Sequence, residues 1–141
     1  MGSEMCIRDS SNIASEFVSV LEHIVGKQEN IEAISIFPDD NVEKKRKEII
    51  KAIKKVDQKK GVIVLTDMFG GTPSNLAISV MDEEKVEVVA GVNLPMLIKI
   101  SSLRNKCKIK ELIKISQESG RKYMNVASAF FGETTNCNKK N

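Results

Sequence analysis

Gly61-Val62-Ile63-Val64-Leu65-Thr66 runs into Asp67-Met68-Phe69-Gly70-Gly71-Thr72-Pro73-Ser74-Asn75, and then into Leu76-Ala77-Ile78-Ser79-Val80-Met81. An unbroken apolar run of this length predicts a strand covered on both faces. It ends in an acid, a glycine pair follows, and the next segment predicts a helix. Thr72 is a preferred helix N-cap, and Pro73 suits the first helical position because the amide hydrogen it lacks would be unpaired there. Gly70 and Gly71 permit a tight turn and close approach of a ligand. Free amides at the positive end of a helix favour an anion such as phosphate. An acid beside a phosphate site is unexpected unless it orients the group that carries the phosphate.

Working outward, helix and strand patterns alternate. Ile13, Phe17, Val20, Leu21 and Ile24 fall on one helical face, with Gly26 as a C-terminal cap. Ile31 to Ile36 predicts a short strand closed by Phe37-Pro38-Asp39-Asp40. Val42, Ile49, Ile50, Ile53 and Val56 mark a second helix, and Lys85 to Ala90 a further strand. That strand leads into Gly91-Val92-Asn93-Leu94-Pro95. Helical patterns follow over Met96 to Leu103 and Ile109 to Phe131. Such alternation predicts an α/β fold: one domain, an open and mostly parallel sheet, helices on both faces. Ligands of these sheets bind at the carboxyl ends of strands, where the Asp67 and Asn93 loops both lie.

The 141 residues suit a single domain with its own core. An aromatic content of 4% and the absence of Trp argue against a nucleic-acid reader built on stacking. The basic run Lys44-Lys45-Arg46-Lys47 and the pair Lys54-Lys55 flank a clean apolar stripe, which favours a solvated helix face over a nucleic-acid patch. No apolar run approaches a membrane span, and no secretory signal opens the chain. Cys6, Cys107 and Cys137 are widely separated, so reduced thiols in a cytoplasmic protein are expected, with no metal site and no cofactor. Neither glycine-rich fingerprint of the common nucleotide folds is present.

Three pieces together carry a family resemblance: Glu16-Phe17 with Leu21-Glu22-His23-Ile24-Val25-Gly26; Leu65 through Asn75; and Ala90-Gly91-Val92-Asn93-Leu94-Pro95-Met96. They resemble the enzyme IIA domain of the mannose family of the bacterial phosphoenolpyruvate-dependent sugar phosphotransferase system. The resemblance covers about Asn12 to Phe131, and Gly120-Arg121-Lys122-Tyr123-Met124-Asn125-Val126-Ala127 makes it most similar to stand-alone forms. It implies phosphoryl relay. A histidine at the end of the first strand takes phosphate from the histidine-containing phosphocarrier protein and passes it to enzyme IIB. It also implies a homodimer whose membrane association runs only through the transporter complex. The matching acid is Asp67, whose carboxylate would fix the imidazole tautomer and leave the other ring nitrogen nucleophilic. On its own, Asp67 could equally be a strand-end residue capping a turn. Gly70, Gly71, Thr72 and Ser11 would bind phosphate. Met68, Phe69, Pro73 and Asn93 would shape the site, although Met68 and Phe69 could instead pack under the loop.

The chain departs from the family at its opening. Family members begin with an apolar strand ending in Thr-His-Gly. Here the histidine slot falls at about Ser10 and the glycine at Ser11, and neither can form phosphohistidine. Residues 1–10 show no strand period and read as a foreign or atypical segment. Residues 11–131 then form the domain, and 132–141 a polar tail expected to be disordered. Replacement of the first strand is expected to destabilise the fold. Four buried aliphatic side chains at ~1.5–3 kcal/mol each amount to roughly 6–12 kcal/mol, comparable to a typical domain's whole stability. His23 is no substitute, because it lies about 15 Å along the helix from the phosphate end.

The leading expectation is therefore a phosphocarrier lacking its histidine and inactive as written. Two alternatives stand beside it: a dihydroxyacetone-kinase-type phosphocarrier, and a regulatory module that binds another protein.

Overall fold

A computed structural model describes residues 4–10, 12–81 and 86–131. Four strands, β1 (Glu4–Ser10), β2 (Ile31–Ile36), β3 (Val62–Thr66) and β4 (Val86–Ala90), form one sheet in the order β2-β1-β3-β4. All three neighbouring pairs are parallel. The helices are α1 (Ile13–Val25), α2 (Val42–Val56), α3 (Thr72–Ile78), α4 (Leu94–Leu103) and α5 (Ile109–Lys122). Among the described residues no helix is long and apolar enough to cross a membrane.

The predicted α/β architecture is the observed one. Side chains of β3 alternate between two cores, which is why all five of its residues are buried. Val62 and Val64 join Ile34 and Ile36 under α2 and α3. Ile63 and Leu65 join Met5 and Ile7 under α1, α4 and α5.

The expected loss of the first strand is corrected. Glu4–Ser10 forms β1, and it is central: Met5 lies opposite Ile31 and Ile63, and Ile7 opposite Ala33 and Leu65. Met5 and Ile7 are both fully buried. An alternation of only two apolar residues is too short to register as a strand pattern. Pairing on both sides overrides that weak local preference. Burying these two side chains restores roughly 3–6 kcal/mol of the stability expected to be missing.

Two further expectations shift. The predicted stripe of α1 divides: Leu21 is buried and Phe17 packs at the edge of the core, but Ile13, Val20 and Ile24 are exposed. Ala14 and Leu21 provide the buried face. The last helix ends at Lys122 instead of Phe131. Tyr123 leaves the helix at φ −91° and ψ 9°, and Ala127–Phe131 is a short 3₁₀ helix. Its apolar residues have no core beneath them, and Phe131 is 84% exposed.

Candidate active site

The order β2-β1-β3-β4 sends the connection after β1 to one side of the sheet and the connection after β2 across to the other. The carboxyl ends of β1 and β3 flank the crevice where such sheets bind ligands. A cleft of about 240 Å³ lies at this edge, lined by Ile36, Phe37 and Pro38 on one side and Asp67, Met68, Gly71, Thr72 and Pro73 on the other. Ser10 pairs with Ile36, while Arg8 pairs with Thr66. This register sets the end of β1 between the two walls of the cleft. Only the backbone of Ser10 is described, and Ser11 lies outside the described residues.

Asp67 is half-buried, and its Oδ1 accepts the Met68 amide at 2.8 Å. Its own carbonyl and that of Thr66 both accept the Gly91 amide at 3.0 Å, and Val92 donates to Thr66 as well. Gly91 has φ +86°, a conformation other residues adopt at a penalty. The loop after β4 thus braces the Asp67 loop through the backbone.

Ser74, to which sequence reasoning assigned no role, organises the glycine turn. Its hydroxyl is fully buried, accepts the Gly70 amide at 3.0 Å and donates to the Gly71 carbonyl at 3.0 Å. Serine in a helical first turn behind two glycines was the available signal. The expectation that Gly70 offers its amide to phosphate is corrected, since Ser74 already holds that hydrogen. Gly70 instead supplies the turn, at φ +88°. Among the described residues, the amides of Gly71 and Thr72 have no acceptor. Those two amides and the Thr72 hydroxyl, all on residues that line the cleft, are available to an anion there.

The helix start also moves by one residue. Gly71 is the N-cap, without a side-chain cap, Thr72 is the first residue of α3, and Pro73 follows it, buried. Met68, which lines the cleft, and Phe69, which does not, are both exposed, so neither packs under the loop. Asn93 does not line the cleft. It caps α4, with Oδ1 accepting the Met96 amide at 3.0 Å, while Nδ2 donates to the Gly120 carbonyl of α5 at 3.1 Å. His23 is exposed in the last turn of α1.

A larger depression of about 290 Å³ between α4 and α5 is lined by Pro95, Ile98, Lys99, Ser102, Ser119 and Tyr123. It contains no residue from the ends of β2 or β3, so the smaller cleft is the chemical candidate.

A family profile, EIIA-man, described as the PTS system fructose IIA component, matches residues 9–117. The chain belongs to this family. Among EIIA-man relatives, the mannose-specific EIIAB component of Escherichia coli K12 is 36% identical over 110 residues, 77% of this chain. The chain spans about a third of that relative, 34% of its length. The fructose-specific EIIA component of Bacillus subtilis is 28% identical over 117 residues, covering 82% of this chain and 80% of the relative. The crystal structure of a phosphotransferase system EIIA component from Streptococcus agalactiae superposes with a TM-score of 0.82 at 25% identity, covering 89% of this chain and 98% of that one. The mannose/sorbose-specific IIA subunit from Enterococcus faecalis shares the fold at a TM-score of 0.79, with 23% identity and coverage of 89% and 95%.

Proposed function

We propose that this EIIA-man chain is a phosphocarrier of the sugar phosphotransferase system whose acceptor histidine is missing, its slot being Ser10. The observation that carries the reading is the approach of the β1 end to Asp67 across the cleft. In the intact site, one ring nitrogen of a histidine at position 10 donates to the Asp67 carboxylate, and the other attacks the phosphorus of the incoming phosphoryl group. The Gly71 and Thr72 amides and the Thr72 hydroxyl hold its oxygens. Positioning and electrostatics carry most of phosphoryl transfer, so this small set of groups suffices. The donor in this reading is the histidine-containing phosphocarrier protein, the acceptor is enzyme IIB, and the protein is a cytoplasmic homodimer. Residues 1–10 are an atypical segment, of which Glu4–Ser10 occupies the strand slot without supplying the histidine.

The test is labelling from phosphoenolpyruvate with enzyme I and the histidine-containing phosphocarrier protein. The chain with Ser10 takes up no phosphate, whereas Ser10→His combined with Ser11→Gly takes up one acid-labile phosphoryl group per chain. Labelling of the unmodified chain, or failure of the folded double variant to label, overturns the reading.

A further inference from the structure

The outer ridge of α2 is made of lysine. Ile49, Ala52, Ile53 and Val56 form the buried side of the helix. At about 100° per residue the opposite side centres on Lys47, and Lys44, Lys51 and Lys54 lie within about 60° of it. All four are exposed, and their ends stand about 15 Å apart along the helix. The ion-paired lysines of α2 lie off the ridge: Lys45, half-buried on the core-facing side, with Asp40 and Glu48, and Lys55, on a flank, with Glu32. Among the described residues the four ridge lysines have no ion pair. Glu43, in the first turn, is the one acid on the same arc. Arg46 is turned aside toward Ser79, at the end of α3, where Ile78 and Met81 are exposed.

We propose that this ridge binds anionic lipid headgroups and holds the protein against an anionic membrane surface. The ridge is convex, and no α2 residue lines the cleft at the strand ends or the depression between α4 and α5. A convex row of point charges suits a flat, diffuse anionic surface. Lysine lacks the planar fork that reads defined phosphate geometry, and α2 has no aromatic residue on which a base could stack. Clusters of four or more cations on one helical face are the electrostatic signature of attraction to anionic lipid. Because the apolar side of α2 is committed to the core, binding is electrostatic, without insertion, and sensitive to salt. The cleft, at the edge of the sheet instead of its α2 face, stays open to protein partners. This attachment is direct and does not depend on a transporter.

Co-sedimentation of the full chain with vesicles of equal parts phosphatidylglycerol and phosphatidylcholine tests the proposal. Binding is expected at low ionic strength, with release at high salt and none to pure phosphatidylcholine. At about fivefold per lysine, Lys47→Gln with Lys51→Gln lowers partitioning on the order of twentyfold. Lys108→Gln with Lys110→Gln removes the same charge elsewhere and leaves most of the binding. Thermal melts confirm that both variants fold. Absence of binding to the anionic vesicles overturns the proposal. So does an equal loss in the two variants, or capture of single-stranded RNA while vesicles remain bare.

Discussion

Ser74 Oγ accepts the Gly70 amide hydrogen at 3.0 Å, and so determines which donors of the glycine loop face the cleft. With that hydrogen held inward, the loop presents the amides of Gly71 and Thr72. The serine is fully buried, whereas Gly70 itself is exposed. Ser74→Ala takes the acceptor from the Gly70 amide, while the Gly71 carbonyl keeps the Asn75 amide at 3.1 Å, and costs about 1 kcal/mol. Urea denaturation reads the loss, and faster amide exchange at Gly70 locates it. An unchanged exchange rate at Gly70 would show that the bond does not hold the loop.

Asp67 separates chemistry from stability. Asn retains the oxygen that accepts the Met68 amide, so Asp67→Asn leaves folding stability within about 0.5 kcal/mol. It removes the negative charge that orients and stabilises an imidazole. In the chain carrying Ser10→His and Ser11→Gly, the substitution lowers phosphoryl uptake on the order of 10²–10⁴-fold. Quench-flow labelling measures the rate, and a loss below threefold removes Asp67 from the proposed mechanism.

Gly120 of α5 packs against the start of α4. A Cβ there would stand 3.1 Å from Asn93 Nδ2, 3.2 Å from Asn93 Oδ1 and 3.2 Å from Met96 Cε. Asn93 is pinned by two hydrogen bonds and cannot move aside without breaking one. Overpacking of about 1–3 kcal/mol therefore exceeds the ~1 kcal/mol that alanine gains over glycine inside a helix. Gly120→Ala is expected to destabilise by about 1 kcal/mol in the natural background. In the background of Asn93→Ala it becomes neutral or stabilising. Additivity across this double-mutant cycle would contradict the steric account.

Ile7 tests β1. Its fully buried side chain lies in the core under α1, α4 and α5, so Ile7→Ala should cost about 2–5 kcal/mol by denaturant unfolding. A change below 0.5 kcal/mol would mean that the segment does not complete the sheet.

Lys45 provides a pH signature. Its pKa is raised from the ordinary value of 10.5, chiefly by the hydrogen bond to Glu48, opposed in part by burial and aided by the charges of Glu48 and Asp40. A raised folded-state value means the stabilisation is complete below the unfolded value and disappears as pH rises through the folded one. Lys45→Met should cost about 0.3–1 kcal/mol at neutral pH, with the difference closing above 10.5. Paired denaturation curves at the two pH values check it, and a difference independent of pH assigns the effect to packing.

Much of the architecture was legible in local pattern. The apolar run Val62–Thr66 announced a doubly covered strand, and the switch to Gly70-Gly71-Thr72-Pro73 announced the turn and helix that follow. The two largest misreadings, β1 and the end of α5, share one cause. Met5 and Ile7 form a strand because Ile31, Ala33, Ile63 and Leu65 stand on either side, and these neighbours are distant in sequence. Beyond Lys122 the apolar residues continue, but no layer remains for them to cover.

The candidate site divides in the same way. Sequence alone determined the alternating α/β class, the Asp67–Thr72 loop and the absence of a histidine at position 10, because residue identity and local backbone preference are written along the chain. Only the tertiary structure decided that β1 lies between β2 and β3, that Ser74 takes the Gly70 amide, and that Asn93 serves the α4–α5 contact. Each of those depends on which groups meet after folding. A buried donor bonds the nearest acceptor that packing leaves in reach.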